Sequence, residues 1–229
     1  MGLSRPITTT ETAVLRLLQL SSAALPVGGY TFSQGLEAAV EEGWLRNDDD
    51  VHAWLSLQLR ESQARVDLPL LLRQMDAVQR RDSKDLCRWN AWVLACRDTA
   101  ELRAAEVAMG NALLRLAPHL DVEVPWQKQD EAAFITGFAM FASHWHIEPK
   151  LACLGYLWSW LENQVNAATR LIALGQTAAQ QLLDVIIPEL PEVVDKACAL
   201  TDEEIGSSLP ALALASSRHE QQYSRLFRS

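Results

Sequence analysis

The chain has 229 residues, 49% of them hydrophobic and 21% charged, with 20 Lys and Arg against 29 Asp and Glu for a formal net charge of −9. That length and balance belong to a globular protein with a substantial buried core, and they exclude a disordered chain. The acidic excess leaves no basic face for a nucleic-acid backbone, and the longest apolar stretches, 132–145 and 151–161, are too short to span a bilayer.

Helical periodicity runs through the whole chain. Val14, Leu15 and Leu18 mark a first short helix, which Pro26 and the pair Gly28–Gly29 then break, forming a turn that calls for positive φ. A second helix is expected from near Ser33 to Gly43, a residue type common just past a helix end. Asn47, Asp48, Asp49 and Asp50 open a third, carrying Val51, Trp54, Leu55 and Leu59; their acidity suits a helix N-terminus better than a cation site. Pro69 fits the first turn of a fourth, with Leu68, Leu71, Leu72, Met75 and Val78 at helical spacing. Asp82 and Ser83 open a fifth, with Leu86, Trp89 and Val93. Thr99 caps a long sixth, with Leu102, Val107, Met109, Leu113 and Leu116, ended by Pro118.

Residues 119–129 read as a loop. A helix from about Asp130 to Trp145 is apolar almost all round, which predicts a central position. Glu148 and Pro149 restart the chain for a helix whose face holds Leu151, Leu154, Trp158, Leu161 and Val165. A further helix is expected from Ile172 to Ile187, and two shorter ones between Pro191 and Leu214. The fold class is therefore all-α, a compact bundle of about ten helices. A single helical domain covers 1–215 and a flexible partner-binding tail covers 216–229.

Motifs for catalysis are missing from the sequence. There is no GxxxxGK[ST] phosphate loop, and Gly28, Gly29 and Ser33 do not make a nucleophile elbow. His144 and His146 stand two apart, so on a helix they point nearly opposite ways, and no complete metal site is legible. The first twelve residues lack the apolar core of a secretory signal, and Cys87, Cys96, Cys153 and Cys198 form no CxxC pair, so reduced thiols in a cytoplasm are expected. Gln164, Asn166 and Arg170, followed by Gln176 and Gln180, read equally well as a satisfied polar network and as a partner surface.

The tail is the most informative segment. Arg218, Arg225 and Arg228 face the single carboxylate of Glu220, so it is basic in an acidic chain. Tyr223, Leu226 and Phe227 stand at i, i+3 and i+4, the spacing of a helix that docks into a groove. Fourteen residues with three anchors cannot hold themselves folded, so a partner or a frayed end is expected.

The segments LPVGGYTFSQGLE (25–37), DLPLL (67–71), MGNALLRL (109–116), RLIALGQTAAQ (170–180) and QYSRLFRS (222–229) together resemble the UreF family of urease accessory proteins. They occur in the family's order from near the start of the chain to its last residue. Ala173 and Ala179 depart from the pattern, where many members have proline and glycine. The resemblance implies an all-helical cytoplasmic adaptor without cofactor or reaction of its own, which pairs with UreD (UreH), recruits the GTPase UreG and acts on apo-urease for GTP-dependent nickel insertion. It further implies a homodimer, a tail in which Tyr223, Ser224, Arg225, Leu226, Phe227 and Arg228 order against UreD, and a partner or dimer surface near Arg170, Gln176 and Gln180. The alternatives are a GTPase-activating or gating regulator of UreG, and a helical metal-dependent enzyme using His144, His146 and Glu148.

Overall fold

The computed structural model describes residues 10–125 and 131–229, which form eleven α-helices and several short helical turns, with no strand among the described residues. The helices are α1 (Glu11–Leu20), α2 (Leu36–Glu41), α3 (Asp48–Gln58), α4 (Leu68–Gln79), α5 (Ser83–Ala95), α6 (Ala100–Leu116), α7 (Phe134–His144), α8 (Pro149–Leu171), α9 (Gln176–Ile186), α10 (Leu190–Ala199) and α11 (Pro210–His219).

Local chemistry sets most of the starts. The side chains of Thr10, Asn47, Asp82, Thr99 and Glu148 each accept a main-chain N–H from the first turn of their helix, satisfying donors that have no partner within it. Gly43, at φ 70, ends α2: its N–H reaches Val40 O at 2.9 Å while Trp44 N–H reaches Ala39 O at 2.9 Å.

Two features organise the body. First, α3 and α4 are one continuous rod, joined by a π-helical stretch, Leu59–Asp67. In such a stretch the N–H bonds five residues back, so residues five apart share a face. Gln58, Gln63 and Asp67 thereby line one wall of the same cavity. Second, α7 lies at the centre, with every residue from Phe134 to Ser143 buried and α4, α6 and α8 packed around it. Phe138 and Phe141 are fully enclosed, each contributing about 1.5–3 kcal/mol of apolar burial. The approach of α6 is set by Gly110: a Cβ there would stand 2.0 Å from Ala132 O, so only glycine fits.

α7 supplies no cap of its own. Asn90 Oδ1 on α5 accepts from Ala133 N at 2.9 Å and from Thr136 Oγ1 at 2.8 Å, and Glu106 Oε1 on α6 accepts from Ile135 N at 3.1 Å. A carboxylate at the positive end of a helix is doubly favoured, by its hydrogen bond and by the dipole.

Several boundaries differ from the sequence expectation. α2 starts at Leu36 rather than near Ser33, because Gln34 (φ 52) and Gly35 (φ 84) turn the chain left-handed. α9 starts at Gln176 rather than Ile172, with Ala173 at φ 51 interrupting the helix. α7 starts at Phe134; Asp130 lies outside the described residues, as do 126–129 of the expected loop and the first nine residues read for a leader. Val14, Leu15 and Leu18 are the exposed face of α1, and Ala13 and Leu20 are its buried side. Among the described residues no helix is long and apolar enough to cross a membrane.

Candidate functional site

The turn read from Pro26, Gly28 and Gly29 and the tail read from 216–229 meet in space. Gly28 has φ 74, and the short turn Gly29–Thr31 follows it. A Cβ on Gly29 would stand 3.1 Å from Asn163 Nδ2, so this segment runs close against α8. At its far end, Ser33 N–H, Ser33 Oγ–H and Gln34 N–H all donate to the main-chain oxygen of Ser229, at 2.5, 2.7 and 3.0 Å. Arg228 N–H reaches Thr31 O at 2.8 Å.

Glu37, on α2 and only 5% exposed, is the centre of this latch. Its carboxylate accepts Leu226 N–H at 2.7 Å and Phe227 N–H at 2.9 Å, and faces His219 Nε2 at 3.1 Å. His219 is fully buried, and its Nδ1 faces Glu101 at 2.8 Å. Glu101 also accepts from Arg225 Nη1 at 2.9 Å.

The tail is placed differently from the sequence reading. The boundary expected at 215/216 falls inside α11, which runs to His219. Residues 220–229 are turns, bends and irregular chain rather than a helix, so the i, i+3, i+4 spacing does not align three side chains. Phe227 inserts into the protein's own core, while Tyr223 and Leu226 project into solvent. The hydrogen-bonding capacity of Glu37 and the Ser33–Gln34 turn gives the chain a reason to return that side-chain spacing alone does not carry.

Behind the latch lies a polar cavity of about 90 Å³, between the π-helical stretch, α6 and α8. Arg97 bridges its two carboxylates, Nη1 to Asp67 at 2.8 Å and Nη2 to Glu106 at 2.8 Å. Burial opposes the guanidinium charge, but the two carboxylates outweigh it and hold Arg97 protonated. Tyr156 Oη donates to Asp67 at 3.3 Å, and burial, with Asp67 and Glu106 close by, pushes its phenol well above the ordinary range. Cys96 lines the cavity with its thiol also pushed up by burial. Gln34 connects cavity and latch: its Oε1 accepts from Trp160 Nε1 at 3.1 Å and Gln164 Nε2 at 3.2 Å, while its N–H holds the tail.

The other sequence candidates separate. Gln164 is buried in the cavity wall, whereas Asn166, Arg170, Gln176 and Gln180 are exposed on α8 and α9. Tyr223, Ser224, Arg225, Leu226 and Arg228 are exposed on the tail. His144 ends α7, His146 follows it at φ 54, and Glu148 caps α8. Among the described residues no three His, Cys, Asp or Glu side chains are grouped to hold a metal ion. Sequence reading missed Glu37, Arg97, Glu106 and His219; a charged or titratable residue on an otherwise apolar helix face was the available signal for the three on helices, while Arg97 sits in the connection between α5 and α6.

The family model for UreF matches residues 45–186. The chain is 50% identical over 223 residues to a urease accessory protein UreF of Marinomonas sp. (strain MWYL1), covering 97% of each chain. It is 48% identical to that of Alkalilimnicola ehrlichii, over 93% of this chain and 95% of the relative. It is 45% identical to that of a Pseudomonas putida strain, over 96% and 99%. Matches at this identity over nearly full length, on an all-helical fold, place the chain in the UreF family of non-catalytic urease accessory proteins.

Proposed function

We propose that this protein is a cytoplasmic, homodimeric adaptor that joins UreD (UreH) and the GTPase UreG on apo-urease, so that GTP hydrolysis by UreG drives nickel insertion. Family membership supports the maturation role. One observation carries the adaptor reading: the tail backbone is pinned to the body while Tyr223 and Leu226 point outward, Leu226 63% exposed and Tyr223 fully so. Tyr223, Arg225 and Arg228 on this exposed tail are the aromatic and Arg types enriched at protein interfaces, and Leu226 adds apolar area in solvent. Their backbone is ordered in advance, so a partner meets a pre-organised strap and the entropy cost of docking falls.

The test is co-expression with UreD, UreG and apo-urease. Tyr223→Ala with Leu226→Ala leaves Phe227 and the latch in place. The double variant should keep its far-UV circular dichroism and lose capture of UreD by at least tenfold, as expected when two interface anchors go. Capture at full strength would reject the tail as the UreD contact.

A further inference from the structure

The polar cavity is unbalanced in charge. Among the described residues, Asp67 and Glu106 face a single Arg97, and the three side chains are 4%, 5% and 11% exposed. Tyr156 Oη and Ile135 N–H donate to the carboxylates but bring no charge. The α7 N-terminus favours Glu106 but carries no whole charge, so one formal negative charge is left over on side chains largely removed from water, where it is costly. Asp98, exposed at the cavity wall, adds to the same sign.

A second observation is independent of the charges. Gln63 and Gln164 line the same cavity, are 3% and 1% exposed, and their carboxamide oxygens have no hydrogen-bond partner among the described residues. Gln58 Nε2 on the same wall is also unpartnered. Buried polar atoms are seldom left so, because an unmade hydrogen bond in the interior is costly unless something bonds to the atom. A cavity of about 90 Å³ has room for an ion with water around it.

We propose that this cavity binds one monovalent cation of the potassium or ammonium class, between the carboxamide oxygens of Gln63 and Gln164 and the Asp67–Glu106 carboxylate pair. Among the buried groups the excess charge is one, which a monovalent ion cancels, while Asp98 lies at the exposed rim. The donors are hard oxygens, four in number counting one oxygen from each side chain, with Gln58 Nε2 donating to a water of the ion's shell. Among the described residues no imidazole lines the cavity, and burial pushes the Cys96 thiol up, so a soft transition metal finds no ligand set there. Water alone would pair the carboxamides but leave the charge.

Rubidium, which scatters anomalously and substitutes for potassium, tests this on crystals of the wild-type chain. An anomalous peak in contact with Gln63 and Gln164 is expected. In solution, melting is compared in potassium, ammonium and choline chlorides at equal ionic strength. Potassium or ammonium should raise the wild-type melting temperature saturably, by about 2–4 °C over choline, and the lower half-saturation identifies the preferred ion. Gln63→Leu with Gln164→Leu should abolish the difference between salts. A cavity holding water alone after rubidium soaking, or wild-type melting identical in potassium, ammonium and choline, would overturn the proposal.

Discussion

Arg97 shows how a single buried residue can hold three elements in register. It joins Asp67 at the end of the π-helical stretch to Glu106 on α6, and Glu106 in turn caps α7 through Ile135 N–H. Arg97→Met keeps most of the side-chain volume but leaves two buried carboxylates without their cation. Breaking a buried pair from one side costs about 3–5 kcal/mol, so urea unfolding of this variant should have a much lower midpoint. Tyr156 gives the pH counterpart. Its folded phenol stays protonated above its ordinary value of 10.0, because burial disfavours the phenolate and Asp67 and Glu106 repel it. A group raised in this way contributes stability that is complete below the ordinary value and is lost as pH climbs beyond it. Urea midpoints measured between pH 8 and pH 11 should therefore fall more steeply above about pH 10 in the wild type, beyond the decline that the raised Cys96, Cys153 and Cys198 thiols begin above their ordinary value of 9.0. Tyr156→Phe should flatten that limb, while costing about 0.5–1.5 kcal/mol below it for the lost hydrogen bond.

The tail latch and the α3–α4 rod matter as elements. The rod's wide turn carries Gln58, Gln63 and Asp67 round to the cavity, where straight α-helix would spread them over different faces. The latch depends on Glu37, which accepts two tail N–H groups and faces His219 with one carboxylate. Glu37→Gln replaces one accepting oxygen with an NH₂ group that only donates, so a tail contact must be lost. Hydrogen bonds to a charged group contribute about 1.5–3 kcal/mol, so the open form of the tail should become on the order of tenfold or more populated. Limited trypsin digestion should then cut faster after Arg225 and Arg228, with helix content unchanged. Equal cleavage rates in wild type and variant would mean that Ser33 and Gln34 hold the tail without Glu37.

At the scale of the whole molecule, the latch and cavity share one hinge residue, Gln34, whose main-chain N–H faces the tail and whose side chain faces Trp160 and Gln164. Its φ of 52 is a left-handed conformation costing about 1–2 kcal/mol for a non-glycine residue, which these contacts offset. None of this is visible locally. The sequence by itself determined the helices and most of their starts: Asn47, Asp82, Thr99 and Glu148 each lie within three residues of the N–H they cap, and the apolar circumference of α7 foretold its central place. Periodicity and capping act within a turn or two of chain, so a window of sequence contains the whole cause. Only the tertiary structure decided that α3 and α4 form one rod, that Asn90 and Glu106 cap α7, and that Phe227 returns to Glu37, 190 residues away along the chain. Those contacts join side chains that no local pattern relates, and they exist because buried charges and helix-end N–H groups must find partners wherever the packed helices bring them.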